Sequence, residues 1–286
     1  MLHKISRVLA NVSRLPEIFG CYRETRQWRS VILAYLGFGE LHYPYALRLR
    51  SGETLTLQEH SDLVIFWLVF VRGHYPVRRG DRVILDIGAN IGLFTIYAAR
   101  QAPSSRVIAV EPFPDTCERL HRHIDENNVS NRVIVLNCAV AAERGRGAMD
   151  SAGGIPSQYR RIDSADTAML NAKHRGVAAL ENLHDVEVEQ KTLSDILEML
   201  GGDVDLLKMN IHGSEYSVLM STPGKALQRL HRLAVQYHEF PAAAHVGKSQ
   251  LFSYLGGSGF QLLLDRDTRR GSGLAVLAHI SAPQGW

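Results

Sequence analysis

The sequence predicts an α/β fold: a doubly wound, mostly parallel seven-stranded sheet with a C-terminal antiparallel hairpin, plus a small N-terminal α+β appendage. Three observations carry this. Short apolar β runs alternate with helical periods from Arg82 onward. A glycine-rich turn separates the first of these strands from the next helix, and two late strand patterns flank an Arg/Gly-rich turn. The 286 residues, 45% hydrophobic and 21% charged, suffice for a substantial core.

Taken in order, residues 1–36 read as helical, because Ile5, Val8, Leu9, Val12 and Leu15 keep helical spacing among Lys4, Arg7 and Arg14. Pro16 is expected to break that pattern. Such a basic amphipathic segment packs on its own domain most often; a second copy of the chain or a membrane surface are the alternatives. A hairpin follows over 45–58 around Ser51-Gly52, then a buried helix over 63–71 ending near Gly73. These elements place an appendage at 1–80 and the main domain at 81–286.

In the main domain, strands are predicted at 83–87, 106–110, 132–136, 205–211, 233–237, 260–264 and 274–280, and helices at 91–100 and 115–127. Thr192-Leu-Ser-Asp195 reads as an N-cap and first turn of a helix through Leu200. Residues 143–185 lack a strong period and read as a loop or lid insertion.

Composition narrows the function. Thirty-two Lys+Arg against 29 Asp+Glu leave a formal charge of +3, too little to argue for a nucleic-acid partner. Cys21, Cys117 and Cys138 are sparse and unpaired in pattern, which argues against a disulfide framework and a structural zinc site. No run of about 18 apolar residues predicts a transmembrane helix, and no signal peptide is recognisable. The expectation is a cytoplasmic protein with reduced, buried thiols and no metal.

The most informative segment is Asp86-Ile-Gly-Ala-Asn-Ile-Gly92, between a strand and a helix. Gly88 and Gly92 allow a tight turn and a close ligand approach. Glu111, nineteen residues after Gly92, ends the second strand, where a carboxylate can accept both hydroxyls of a ribose. This Rossmann-like arrangement suits any nucleoside cofactor. Dinucleotide sites, however, favour a glycine where Asn90 stands, to admit a pyrophosphate. The negative charge of Asp86 suits a cofactor with a sulfonium and an ammonium and no phosphate. S-adenosylmethionine, leaving as S-adenosylhomocysteine, meets that description.

Together with Val107-Ile-Ala-Val-Glu-Pro-Phe-Pro114 and Asp205-Leu-Leu-Lys-Met-Asn-Ile-His-Gly-Ser-Glu215, this segment resembles the FkbM-type methyltransferases over about residues 80–280. The resemblance implies S-adenosylmethionine as donor and O-methylation of a hydroxyl on a small sugar, glycolipid or secondary metabolite. It would set Asp86, Gly88, Asn90 and Gly92 around the methionine part of the cofactor and Glu111 on the ribose. The adenine would lie near Pro112, Phe113 and the third strand's end at 138–140. The family's usual K-x-D-x-E-G-x-E reads here with Asn210 and His212 in place of two carboxylates. Some relatives carry the Asn with a later Q-x-H, matched by Gln236-Tyr-His238. The replacements put a carboxylate base and a divalent metal at that pair in doubt.

The catalytic candidates are His238, His212 and Asn210, at the C-terminal ends of neighbouring parallel strands, with Glu239 as a weaker base. Each histidine has a plainer alternative: His212 bonding backbone at a turn, His238 satisfied in the interior. Lys208 is expected to pair with Glu215 or another carboxylate, and Glu215 to start the following helix. His121 and His123 do not share a helix face, so no metal is expected there. Tyr159, Arg160, Arg161, Lys173, His174 and Arg175 could grip an anionic acceptor or belong to a solvated loop. N- or C-methylation, a nicotinamide-dependent oxidoreductase and a non-catalytic scaffold are the competing readings.

Overall fold

The computed structural model describes residues 15–150, 185–238, 247–268 and 272–282. Expectations for residues 1–14, for Glu239, and for Tyr159, Arg160, Arg161, Lys173, His174 and Arg175 lie outside them. The chain forms two compact units, Met1–Pro76 with Asp125–Asn128, and Val77–Ile124 with Val129–Trp286.

The first unit holds α1 (Leu15–Glu24), α2 (Trp28–Tyr35), the hairpin β1 (Tyr45–Arg48) and β2 (Thr54–Leu57), and α3 (His60–Phe66), which continues as a π-helical turn over Trp67–Val71. The stretch read as helical up to residue 36, with its break expected at Pro16, is broken at Thr25. Its hydroxyl donates to the carbonyl of Arg48 at 2.8 Å and accepts from the Gln27 N–H at 3.1 Å, which fixes the corner between α1 and α2. Pro16 stands in the first turn of α1, where its missing N–H costs nothing. Leu47, Leu55, Leu57, Leu63 and Phe66 are fully buried in this unit.

The second unit is built on a seven-stranded sheet in the order β11-β12-β10-β9-β3-β4-β5. Its strands are β3 (Val83–Ile87), β4 (Arg106–Val110), β5 (Val133–Leu136), β9 (Leu206–Met209), β10 (Arg232–His238), β11 (Phe260–Thr268) and β12 (Ser272–His279). The first five are parallel, and β12 runs antiparallel between β10 and β11. The chain starts at the centre with β3, moves out through β4 and β5, and returns to β9 on the other side of β3. That reversal leaves a crevice beyond the C-terminal ends of β3 and β9, where ligands bind in such sheets. Four of five residues in β3 and β4 and all of β9 are buried, as expected of strands covered on both faces.

The helices of this unit are α4 (Leu93–Gln101), α5 (Pro114–Glu126), α6 (Leu193–Leu200), α7 (Glu215–Ser221), α8 (Gly224–Leu227) and α9 (Lys248–Gly257). Thr192 caps α6 by accepting from the Asp195 N–H at 3.1 Å, while Asp195 accepts from the Thr192 N–H at 2.9 Å. A second, three-stranded sheet was not expected. It joins β6 (Ala139–Val140), β7 (Gly145–Asp150) and β8 (Asp185–Lys191) in the order β6-β8-β7. The ends of the stretch read as a loop insertion are therefore strands. The end of the third strand likewise lies at Leu136, and Ala139–Val140 belongs to this smaller sheet. Cys21, Cys117 and Cys138 are free and buried, and burial pushes the last two thiols up to about 12 and about 11. Among the described residues no helix is long and apolar enough to cross a membrane.

Candidate active site

The turn after β3 consumes its own N–H groups. Those of Gly88 and Ala89 donate to the Val110 carbonyl, each at 3.0 Å, and that of Gly92 to Ala89 at 2.9 Å. The Asn90 N–H donates to Glu111 Oε2 at 2.8 Å, and the Ile91 N–H to Asn90 Oδ1 at 2.6 Å. A pyrophosphate needs free donors in this turn, and from Gly88 to Gly92 they are engaged. Asn90 adopts φ +52°, and its own side chain secures the left-handed turn.

Both glycines are required by close approaches. At Gly88, φ +74°, a Cβ would collide with the carbonyl oxygen of Asn210. At Gly92, φ +85°, it would collide with Leu120 of α5. Gly88→Ala is expected to cost at least the ~1–2 kcal/mol of a left-handed non-glycine residue. The clash adds to that by pushing β9 from the turn, and chemical denaturation measures the sum.

Asp86 lies inside the fold. It is fully buried, and its oxygens accept from Thr95 Oγ1 at 2.7 Å and Lys208 Nζ at 2.8 Å. Its charge is thus answered inside the protein by Lys208. Lys208 also donates to the Gly88 carbonyl at 2.6 Å, tying β9 to the turn. Of the two pairings read for Lys208, the partner is Asp86 and not Glu215.

Glu111 is 5% exposed and accepts from the Asn90 N–H and, at 3.2 Å, from the Phe113 N–H. A carboxylate offers about four lone pairs, so each oxygen keeps one for a ribose hydroxyl. Burial raises its carboxyl to about 7, against the opposing pull of the Phe113 and Asn90 N–H groups and of Lys208. The folded chain therefore holds this proton longer than the unfolded chain, and stability falls as pH rises from the ordinary carboxylate range toward 7. Phe113 is buried against Ala139 and Val188 of the smaller sheet, and Pro112 is half-buried. Sequence reasoning missed Asn137, whose amide donates to the carbonyls of Glu111 at 2.9 Å and Pro112 at 3.0 Å.

The catalytic candidates come together at the ends of β9 and β10. Met209 stands opposite Val235 in the parallel register, so Asn210 and Gln236 follow side by side, and Asn210 Nδ2 donates to Gln236 Oε1 at 3.2 Å. Asn210 Oδ1 is buried without a partner, a cost normally relieved by a bound group. The rings of His212 and His238 lie 4.8 Å apart between centroids. Glu215, fully buried at the start of α7, accepts from the Ile211 and Gly213 N–H groups at 2.8 and 2.7 Å. Its Oε1 also lies 3.2 Å from His238 Nδ1, which makes Glu215 the orienting carboxylate of His238. Its spacing from His238 in the chain gave no sign of that contact. Among the described residues no group of three or more His, Cys, Asp or Glu is arranged to hold a metal ion.

Strand order and the crossover turn define an α/β domain of Rossmann-like build. More narrowly, the chain belongs to the FkbM methyltransferase family, because the Methyltransferase FkbM domain matches residues 86–262, more than half of its length. It is 31% identical over 144 residues to Methyltransferase 1 of Beauveria bassiana, covering 49% of this chain and 57% of that protein. To Methyltransferase sdnD of Sordaria araneosa it is 26% identical over 198 residues, covering 64% and 75%. To the 31-O-demethyl-FK506 methyltransferase FkbM of Streptomyces tacrolimicus it is 27% identical over 213 residues, covering 69% and 79%. The chain thus spans little more than half the length of the first of these relatives. A crystal structure of the N-terminal domain of EvdMO1 with SAH bound superposes with a TM-score of 0.41 at 13% identity, over 73% of this chain and 78% of that one, too loosely to bear on a ligand.

Proposed function

We propose that this chain is an S-adenosylmethionine-dependent O-methyltransferase acting on a hydroxyl of a small sugar, glycolipid or secondary metabolite. The observation that carries the reading is the Glu215–His238 pair and the unpartnered Asn210 Oδ1 at the ends of β10 and β9, the latter paired with β3 that leads into the turn. The residues present fit the donor: Glu111 keeps two lone pairs for the ribose, and the turn has no spare N–H for a pyrophosphate. When bound, S-adenosylmethionine supplies a methyl on a sulfonium and leaves as S-adenosylhomocysteine.

Within that frame the chain's own residues do three things. Glu111 and the turn fix the donor's position, which supplies much of the acceleration of an in-line displacement. Asn210 Oδ1 accepts from a ligand donor, the ammonium of the cofactor or the hydroxyl of the acceptor. His238 takes the hydroxyl proton on Nε2 as the new C–O bond forms, and the resulting imidazolium is stabilised by Glu215 at Nδ1. The relative named for 31-O-demethyl-FK506 supports a hydroxyl acceptor. The test is mass spectrometry of products from labelled donor with hydroxylated sugars and metabolites beside their amino analogues. Methyl ethers are expected, and transfer confined to the amines would overturn the assignment.

Cofactor binding should also be pH-dependent. The ribose needs the carboxylate form, and burial holds Glu111 near half protonation at about 7. Affinity is expected to fall as pH drops below 7, approaching about tenfold per unit, with proton uptake on release. Glu111→Gln should bind more weakly and lose this dependence between pH 5 and 8. Binding measured across that range by fluorescence competition checks it.

A further inference from the structure

The N-terminal unit carries a second surface that methyl transfer does not use. On α1, Phe19, Tyr22 and Arg23 fall at i, i+3 and i+4, and so share a side. Phe19 is 61% and Tyr22 46% exposed. Their ring centroids lie 6.3 Å apart, and Tyr22 meets Trp28 edge-on at 5.7 Å. The Arg50 guanidinium sits 4.7 Å over Tyr22, and that of Arg29 sits 5.2 Å over Trp28. Arg23, Arg26, Arg29 and Arg50 are exposed, and no ion pair ties the first three to a carboxylate among the described residues. One turn along α2 from Arg29, Leu33 is 48% exposed. In sequence, residues 1–14 add Lys4, Arg7 and Arg14 and contain no acidic residue.

We propose that this face of α1 and α2 binds the headgroup layer of an anionic phospholipid membrane. Aromatic rings with a polar or cationic edge settle at that level, and arginines beside them are drawn to its negative charge. Charge complementarity therefore selects the occupant. Single-stranded nucleic acid is disfavoured because stacking needs open ring faces, and Tyr22 and Trp28 each already carry a guanidinium on one face. Leu33 adds aliphatic bulk that stacking does not use. A second copy docked face to face would set these arginines against their own equivalents.

Co-sedimentation of the full chain with phosphatidylcholine vesicles, with and without phosphatidylserine, tests the proposal. Binding is expected only with phosphatidylserine present, and weaker at raised salt. Arg23→Ala/Arg26→Ala/Arg29→Ala should lower the partition about 100-fold, at about fivefold per charge. Phe19→Ala should lower it about tenfold through lost insertion. Both variants should keep the parent's melting temperature and S-adenosylmethionine affinity, which separates loss of the surface from loss of the fold. Equal binding to neutral vesicles, no binding, partition unchanged by the triple substitution, or a preference of this face for a single-stranded oligonucleotide would each overturn it.

Discussion

His238→Ala is expected to lower kcat by about 10²–10⁴-fold, the usual contribution of a positioned general base. The affinity for S-adenosylmethionine should stay at the parent value, because His238 bonds Glu215, while Glu111 bonds the turn through the Asn90 N–H. Single-turnover rates at saturating donor and acceptor, with the donor affinity measured separately, check both halves. The neighbouring His212 is the internal comparison. Its ring lies 4.8 Å from that of His238, but Glu215 orients His238 through Nδ1. His212→Ala should therefore cost much less than His238→Ala, and the reverse order would move the base to His212.

Lys208→Met should destabilise the protein by about 3–5 kcal/mol, because it leaves the Asp86 carboxylate buried without a cation. Lys208 and Asp86 are 5% and 0% exposed at the side chain, so solvent cannot take over the charge. The loss should appear as a lower denaturation midpoint with an unchanged slope. Adding Asp86→Leu should restore much of the stability, since an apolar pair of similar volume is often as stable as a buried ion pair. The double variant should nonetheless bind cofactor poorly, because Lys208 also holds the Gly88 carbonyl. Additive losses in the double-mutant cycle would show that the two side chains do not act as a pair.

The central sheet was legible because strands covered on both faces read as unbroken apolar runs, as in Val83–Ile87 and Leu206–Met209. The smaller sheet was less so. Gly145–Asp150 carries glycine and charge without a period. Asp185–Lys191, however, alternates polar residues with Val186 and Val188, a short period-two signal of a strand. The break in the N-terminal helix left no local mark. It depends on Thr25 reaching the Arg48 carbonyl, a contact between residues 23 apart in sequence.

In the site, Gly88, Asn90 and Glu111 were readable because a strand, turn and acid at fixed spacing leave a motif. The surroundings of Asp86 and Gly92 were not readable. The motif shows which residues form the turn but not which way each faces, and Asp86 faces Lys208 while Gly92 faces Leu120. Glu215 was recognised as a helix start and missed as the partner of His238, since that contact depends on β9 and β10 lying side by side.

On the proposed function, the turn at Gly88–Gly92 and Glu111 hold S-adenosylmethionine. Calorimetric titration with S-adenosylmethionine, S-adenosylhomocysteine and NAD, repeated on Glu111→Ala, tests it most directly. The first two should bind and NAD should not, and the substitution should weaken binding about 100-fold or more, as loss of two charge-assisted hydrogen bonds requires. Binding of NAD alone, or affinity for S-adenosylmethionine indifferent to Glu111→Ala, would contradict the account.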